Sequence, residues 1–302
     1  NARLLYGSND KLSQKILSAA IDERTFAQLT DPNVASIARR AHLGLITADG
    51  AGQFLEATPC KEAQLNNEPA LFVVMLQRWL RIPLANQDMQ CPCCDGVLDR
   101  FGDHALVCSC GGDRTRRHNL LRNLVYFAAS AANYHPELER PGLLPHRPLL
   151  GSAYDNGSEL SSHHSDPSLR RPADVYIPRW RSGPPAAWDF AVTSGLRLEA
   201  VSDSVRDSGA VLKQYEDFKC SHLETRAQCQ GQGITFIPMV IEAVGGGWGE
   251  AAKGVWSELA KTSALAFGEL QTKDAAALLL RQRLSMTLHR ENARSCLRRF
   301  AP

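Results

Sequence analysis

The sequence predicts an α/β fold, on three observations. A near-continuous apolar run within GITFIPMVIEAVGGGWG (233–249), made of Ile234, Phe236, Ile237, Met239, Val240 and Ile241, reads as a buried strand. Two further β-prone runs, 175–177 and 187–192, flank the turn residues RSGPP and read as a hairpin. Before and after these strands the apolar residues recur at helical spacing, which supplies the layers a sheet needs on its faces.

Composition bounds the function classes. At 302 residues and 44% hydrophobic content the chain can bury a substantial core, in one large domain or two modest ones. The net charge of +2 conceals 34 basic against 32 acidic side chains, so any nucleic-acid footprint must rest on local clusters and not on a global field. Three such clusters occur: Arg114, Arg116, Arg117 and His118; Arg170, Arg171, Arg179 and Arg181; Arg294, Arg298 and Arg299. Surface solubility explains any one of them equally well. No signal peptide and no apolar run of roughly 18 residues is present, which argues for a soluble chain with no membrane partner. The first residue is Asn, and the chain reads as a piece of a longer polypeptide. Nine cysteines, four of them within 91–108, speak for a reducing compartment with zinc and against a disulfide framework.

The elements follow in order. Residues 1–87 read as a helical scaffold or linker without a catalytic constellation. Apolar side chains at 16, 17, 20, 21, 26 and 29 give a helix over 12–29. An Asp-Pro signal starts a second helix at 31 and Gly44 stops it. The stretch 47–59 reads as turn, short helix, turn, and 68–84 as a strongly apolar helix.

A compact unit follows at 88–116. Cys91, Cys94, His104 and Cys108 form C-x2-C-x9-H-x3-C, four ligands suited to tetrahedral zinc. The loop between the pairs is rich in turn residues and poor in core, and metal in comparable small sites supplies about 10–16 kcal/mol of folding energy. Cys93 and Cys110 are surplus thiols able to substitute for a ligand. With four protein ligands and no open position, the zinc reads as structural.

The remainder, 117–302, carries the sheet. Arg117-His118-Asn119 opens a helix with a basic first turn, a plausible phosphate contact or equally a solvated helix start. Glu137 and Glu139 follow that helix and are possible members of a metal centre. The stretch 151–168 is a polar loop in which His163, His164 and Asp166 form a weak metal-like cluster. In the hairpin, Asp189 points away from the face that takes Trp188 and Phe190. Asp174 caps a strand and Asp189 pairs with Arg179 or Arg181 on one reading; on the other, the two acids hold a divalent cation. Two carboxylates about 4 Å apart repel by roughly 4 kcal/mol at a typical effective dielectric, which a hard cation with oxygen ligands reverses. Lys213 and Lys219 lie on a helix beyond the hairpin, and residues 250–300 are helical again.

The order Pro-x-Asp, 14 residues, then an apolar-flanked Asp resembles the PD-(D/E)XK nuclease core, with Ala191 where that core usually has Lys. Together with CPxC, GDHALVC, RHN, RPAD, DFAVTS and FIPMVIEAVGG, it resembles the restriction-like endonuclease domain of site-specific non-LTR retrotransposon and related reverse-transcriptase-associated proteins, over roughly 88–250. The resemblance implies a zinc knuckle that helps grip DNA, and a nuclease in the nucleus that cuts target DNA so that the 3′ end primes copying, with RNA a further possible partner. It implies that Asp174 and Asp189 bind catalytic Mg²⁺. It places the missing lysine on the following helix, Lys219 first and Lys213 second, and it implies that Arg116, Arg117 and His118 grip phosphates. No polymerase motif is present. A catalytically silent zinc-dependent nucleic-acid-binding module, and a structural partner domain that touches no nucleic acid, are the alternatives.

Overall fold

A computed structural model of the chain describes residues 10–144, 172–267 and 272–300. The helices are α1 (Asp10–Leu29), α2 (Ile37–Ile46), α3 (Pro69–Trp79), α4 (Asp103–Val107), α5 (Asp113–Ala131), α6 (Val201–Arg206), α7 (Ala210–Ser221), α8 (Thr225–Gly231), α9 (Glu250–Phe267) and α10 (Lys273–Phe300). The strands are β1 (Met89–Gln90), β2 (Val97–Leu98), β3 (Glu137–Leu138), β4 (Val175–Ile177), β5 (Ala186–Thr193) and β6 (Thr235–Glu242). The fold is mixed α/β, as the sequence patterns imply.

The main sheet has the order β3-β4-β5-β6. Its first two pairings are antiparallel, and β5 and β6 run parallel from Ala186↔Thr235 to Thr193↔Glu242. A parallel pair needs a crossover, which α6, α7 and α8 provide. Alternation sorts the strand residues onto two faces. Val175, Ile177, Trp188, Phe190, Met239 and Ile241 form one core with side chains of α5, α9 and α10. Tyr176, Ala187 and Phe236 meet Cys229 of α8 on the other. Trp188 is fully buried, its ring 5.1 Å from that of Trp180.

A second core ties the lead-in to the cysteine-rich unit. Phe54, Leu65, Leu71 and Met75 pack with Cys91, Leu98 and Cys108, and α10 closes over them with Met286, Ala293 and Cys296. The 28-residue α10 therefore borders both the sheet core and the cysteine-rich unit.

Three local expectations are corrected. The second helix starts at Ile37, where the Ser36 hydroxyl accepts from the Arg39 amide, while Asp31 accepts from the Asn33 amide in a turn. Gly44 does not end that helix: it lies inside α2, where a side chain would stand 3.6 Å from the Ser204 carbonyl of α6, so packing overrides the stop signal. No helix forms in 47–59, which is a series of turns docked on the loop after β6. There Gly245 is required, because a side chain would lie 2.1 Å from the Leu45 carbonyl oxygen.

Candidate active site and metal centre

The hairpin sets the acids. The β4–β5 register pairs Val175 with Trp188, and one step further it places Asp174 opposite Asp189, both on the face away from Trp188. The Asp174 amide donates to the Trp188 carbonyl at 3.0 Å, and the Phe190 amide donates to Asp174 Oδ2 at 2.7 Å. Strand pairing thus fixes both the backbone and one carboxylate oxygen of Asp174.

Two helices deliver partners from elsewhere in the chain. Lys219 Nζ, in the last turn of α7, lies 2.8 Å from Asp189 Oδ2. His118 Nε2, from α5, lies 3.1 Å from Asp174 Oδ2, and its ring stands edge-on to Phe190. Among the described residues no hydrogen bond reaches Oδ1 of either acid. Each acid side chain keeps about a fifth of its surface exposed, 19% for Asp174 and 20% for Asp189.

The two carboxyls are driven apart. Burial raises Asp174, but the hydrogen bonds from His118 and Phe190 and the Lys219 charge outweigh it and hold the group below the usual range. For Asp189 burial prevails over Lys219, and the neighbouring Asp174 charge adds to it, so the group is pushed up. Burial lowers His118, and Asp174 more than reverses this, leaving the imidazole raised. A pair of acids held in opposite directions by their surroundings is a common feature of catalytic centres.

A cleft of about 440 Å³ borders this cluster, walled by Arg114, His118, Phe190, Tyr215 and Lys219. No acid is among its wall residues. Lys213 is six residues from Lys219 and faces a different cleft, among Asp49, Glu216, Asp217 and Glu250. Of the two lysines, Lys219 alone meets the acids.

The expected phosphate contacts divide. Arg117 borders the same cleft but is 4% exposed, its guanidinium donating to Asn292 Oδ1 at 2.7 Å and to the Leu106 carbonyl at 2.9 Å, and burial lowers it to about 10. The cause is helical phase. The helix begins at Asp113 and not at Arg117, and Arg117 joins the inward stripe with Leu121 and Val125. Arg116 is exposed, with Nε 3.7 Å from Glu291. Glu137 pairs with Arg140 and Glu139 with Arg122. Arg181 reaches the Gly254 carbonyl and Glu258, so neither it nor Arg179 is the partner of Asp189. His163, His164 and Asp166 lie outside the described residues.

The metal centre is compact. Ligand atoms of Cys91, Cys94, His104 and Cys108 all lie within 4.8 Å of one another, an arrangement that could hold a metal such as zinc. Cys94 Sγ is 3.3 Å from His104 Nε2 and 3.6 Å from Cys108 Sγ. Burial raises the Cys91 thiol, but the Cys93 amide and hydrogen bonds from His104 and Cys94 bring it down to about 6, toward the thiolate that a metal needs. Gly96 closes the unit, since any side chain there would meet the His104 ring at 2.7 Å. Cys93 is exposed and stands outside the cluster, as does Cys110.

Sequence reasoning did not find His118 as the partner of Asp174. The two are 56 residues apart on elements that meet only in the folded chain, and no local spacing signals it. Among the described residues no helix is long and apolar enough to cross a membrane. Comparison with protein-family models, curated proteins and solved structures gives no match.

Proposed function

We propose that this chain is a Mg²⁺-dependent DNA endonuclease with a PD-(D/E)XK-type core, the target-nicking part of a retroelement-type protein acting in the nucleus. The observation that carries the reading is the convergence of Asp174 and Asp189 on one face of neighbouring strands with Lys219 Nζ 2.8 Å from Asp189. The residues fit a hard divalent cation, because two carboxylates present Oδ1 oxygens that no described residue engages. Bound there, Mg²⁺ would supply Lewis-acid polarisation of the scissile phosphate.

The rest is the work of the chain's own groups. His118 and the Phe190 amide hold Asp174 Oδ2, which fixes the carboxylate plane. Lys219 Nζ orients the attacking water and offsets the charge that grows on the phosphate oxygens. Arg114, on the cleft wall, holds a neighbouring phosphate. Cys91, Cys94, His104 and Cys108 would hold zinc as a structural ion, seating α4 and the start of α5 beside the cleft.

Plasmid nicking tests this. Wild type is expected to relax supercoiled DNA in Mg²⁺ and not in EDTA. Asp174→Ala and Asp189→Ala should each lose more than about 100-fold in rate, since a metal ligand accounts for several kcal/mol of transition-state stabilisation. Wild-type nicking by both variants sinks the assignment.

One observation favours a second reading, a catalytically silent nucleic-acid-binding module. Oδ2 of each acid is already engaged by an internal side chain, the Lys219 amine on Asp189 and the His118 imidazole on Asp174, an arrangement that also satisfies two acids with no metal at all. Salt-sensitive DNA binding without cleavage in Mg²⁺ or Mn²⁺ would select it.

A further inference from the structure

The cleft beside the acids does not end there. A second cleft, about 390 Å³, shares Arg114, Val192 and Tyr215 with it, so the two form one groove along β5. The far part is walled by Thr193, Ser194, Arg197 and Leu198. Its charge is lopsided. Arg114, His118, Lys219 and Arg197 border the groove; Glu199, the acid among its wall residues, pairs with Arg197 at 3.0 Å, and His118 and Lys219 pair with Asp174 and Asp189 beside it, which leaves Arg114 as the unmatched positive group. The cleft on the other side of α7 has the reverse balance, with Asp49, Asp207, Glu216, Asp217 and Glu250 around two lysines. A polyanion is drawn to the first and repelled by the second.

The groove also carries the two contacts that nucleic acid favours. Arg114 makes no ion pair with any described residue, so its guanidinium is available to a phosphate. Tyr215 offers a half-buried ring, and Leu198, 91% exposed in the loop after β5, offers an apolar side chain open to a ligand. The loop is held, not loose. Glu242, buried at the end of β6, accepts hydrogen bonds from the Gly195 amide at 3.1 Å and from those of Val244 and Gly245 at 2.8 and 2.6 Å.

Resting on the endonuclease reading above, we propose that this groove is the path of the DNA strand on one side of the cut: its backbone passes from Asp189 along β5, phosphates on Arg114 and Arg197, with Tyr215 and Leu198 against the bases. The strand from Asp189 to Thr193 rises about 13 Å. A duplex strand has one phosphate per about 3.4 Å of axis, so the path spans about four nucleotides.

The test is fluorescence anisotropy with a labelled DNA duplex in EDTA, from 50 to 200 mM KCl. Each lost phosphate contact lowers the slope of log affinity against log salt by about 0.9. Arg114→Ala and Arg197→Ala are expected to show that loss, with a several-fold weaker affinity at fixed salt, and Leu198→Ala to weaken binding at an unchanged slope. Lys253→Ala, in the acidic cleft, is expected to leave both unchanged. If wild type binds and both arginine variants keep its slope, the groove is not the path, and the nuclease reading survives. If wild type shows no salt-dependent binding, both fall. Equal retention of polyaspartate would reduce the groove to general anion affinity and overturn the proposal.

Discussion

Arg114, Arg116 and Arg117 look interchangeable in the sequence, and the fold buries one and leaves two exposed. Helical phase decides this: Arg117 stands one turn before Leu121 on the inward stripe of α5, and Arg114 and Arg116 lie off it. Arg117 then bridges α5 to α10 through Asn292, which itself donates to the Ala243 carbonyl at 2.7 Å. Its loss strands the Leu106 carbonyl and the Asn292 side chain in a dry region. Arg117→Ala should therefore destabilise the fold by about 2–4 kcal/mol, hydrogen bonds to charged groups contributing about 1.5–3 kcal/mol each, whereas Arg114→Ala stays within about 0.5 kcal/mol. Urea midpoints of the two variants check this. Equal midpoints would return Arg117 to the surface, as the sequence alone had it.

At the scale of elements, the cysteine-rich unit and α10 depend on each other. The unit has two-residue strands and a five-residue helix, too little to hold itself together, and its apolar side packs on α3 and α10. Asp113, near the end of the unit, is engaged by Arg298 and Arg299 of α10, and Arg299 also donates to the Cys110 carbonyl at 3.0 Å. Chelation should remove one zinc per chain and lower the thermal midpoint by about 7–20 °C. That figure follows from roughly a third of the 10–16 kcal/mol of a small zinc site, at about 2–4 °C per kcal/mol. Cys108→Ser should lose the metal and Cys93→Ser should retain it; zinc well below one per purified wild-type chain removes the centre. What could be read in advance divides along the same line. The four ligands and the acid pair were legible because each set is local, a short loop and a hairpin whose register follows from its own alternation. Lys219 was legible only as one of two helix lysines, and the crossover that follows β5 decides between them. His118 on Asp174 was not legible, since it needs the helix on one face of the sheet to reach an acid that belongs to the other.

Taken as a whole, the molecule is held by α10, and this separates parts of the lead-in that the sequence groups together. Every described side chain of α1 from 14 to 29 is exposed, including Ile16, Leu17, Ile21 and Phe26, so among the described residues this helix adds no buried side chain to a core. The turns and α3 behave otherwise. Phe54 is 2% exposed and Met75 1%, and with Leu65, Leu71 and Val74 they close the core that α10 shares with the cysteine-rich unit. Polar contacts reinforce that seam, with the Phe54 amide donating to Ser285 Oγ and Arg290 donating to the Gln64 and Asn66 carbonyls. Fully burying one large apolar side chain stabilises by about 1.5–3 kcal/mol, so five of them approach the about 5–15 kcal/mol that holds a typical domain folded. Deletion of residues 1–30 should leave the thermal midpoint within about 2 °C of the full chain, the small effect expected of the exposed side chains at 14–29. Deletion of residues 1–87 should expose α10, release the metal and abolish a cooperative transition. Comparable loss of midpoint in the shorter deletion would mean that α1 packs on the body of the protein. A cooperative transition with one bound zinc in the longer deletion would mean that the sheet and the cysteine-rich unit stand without the seam.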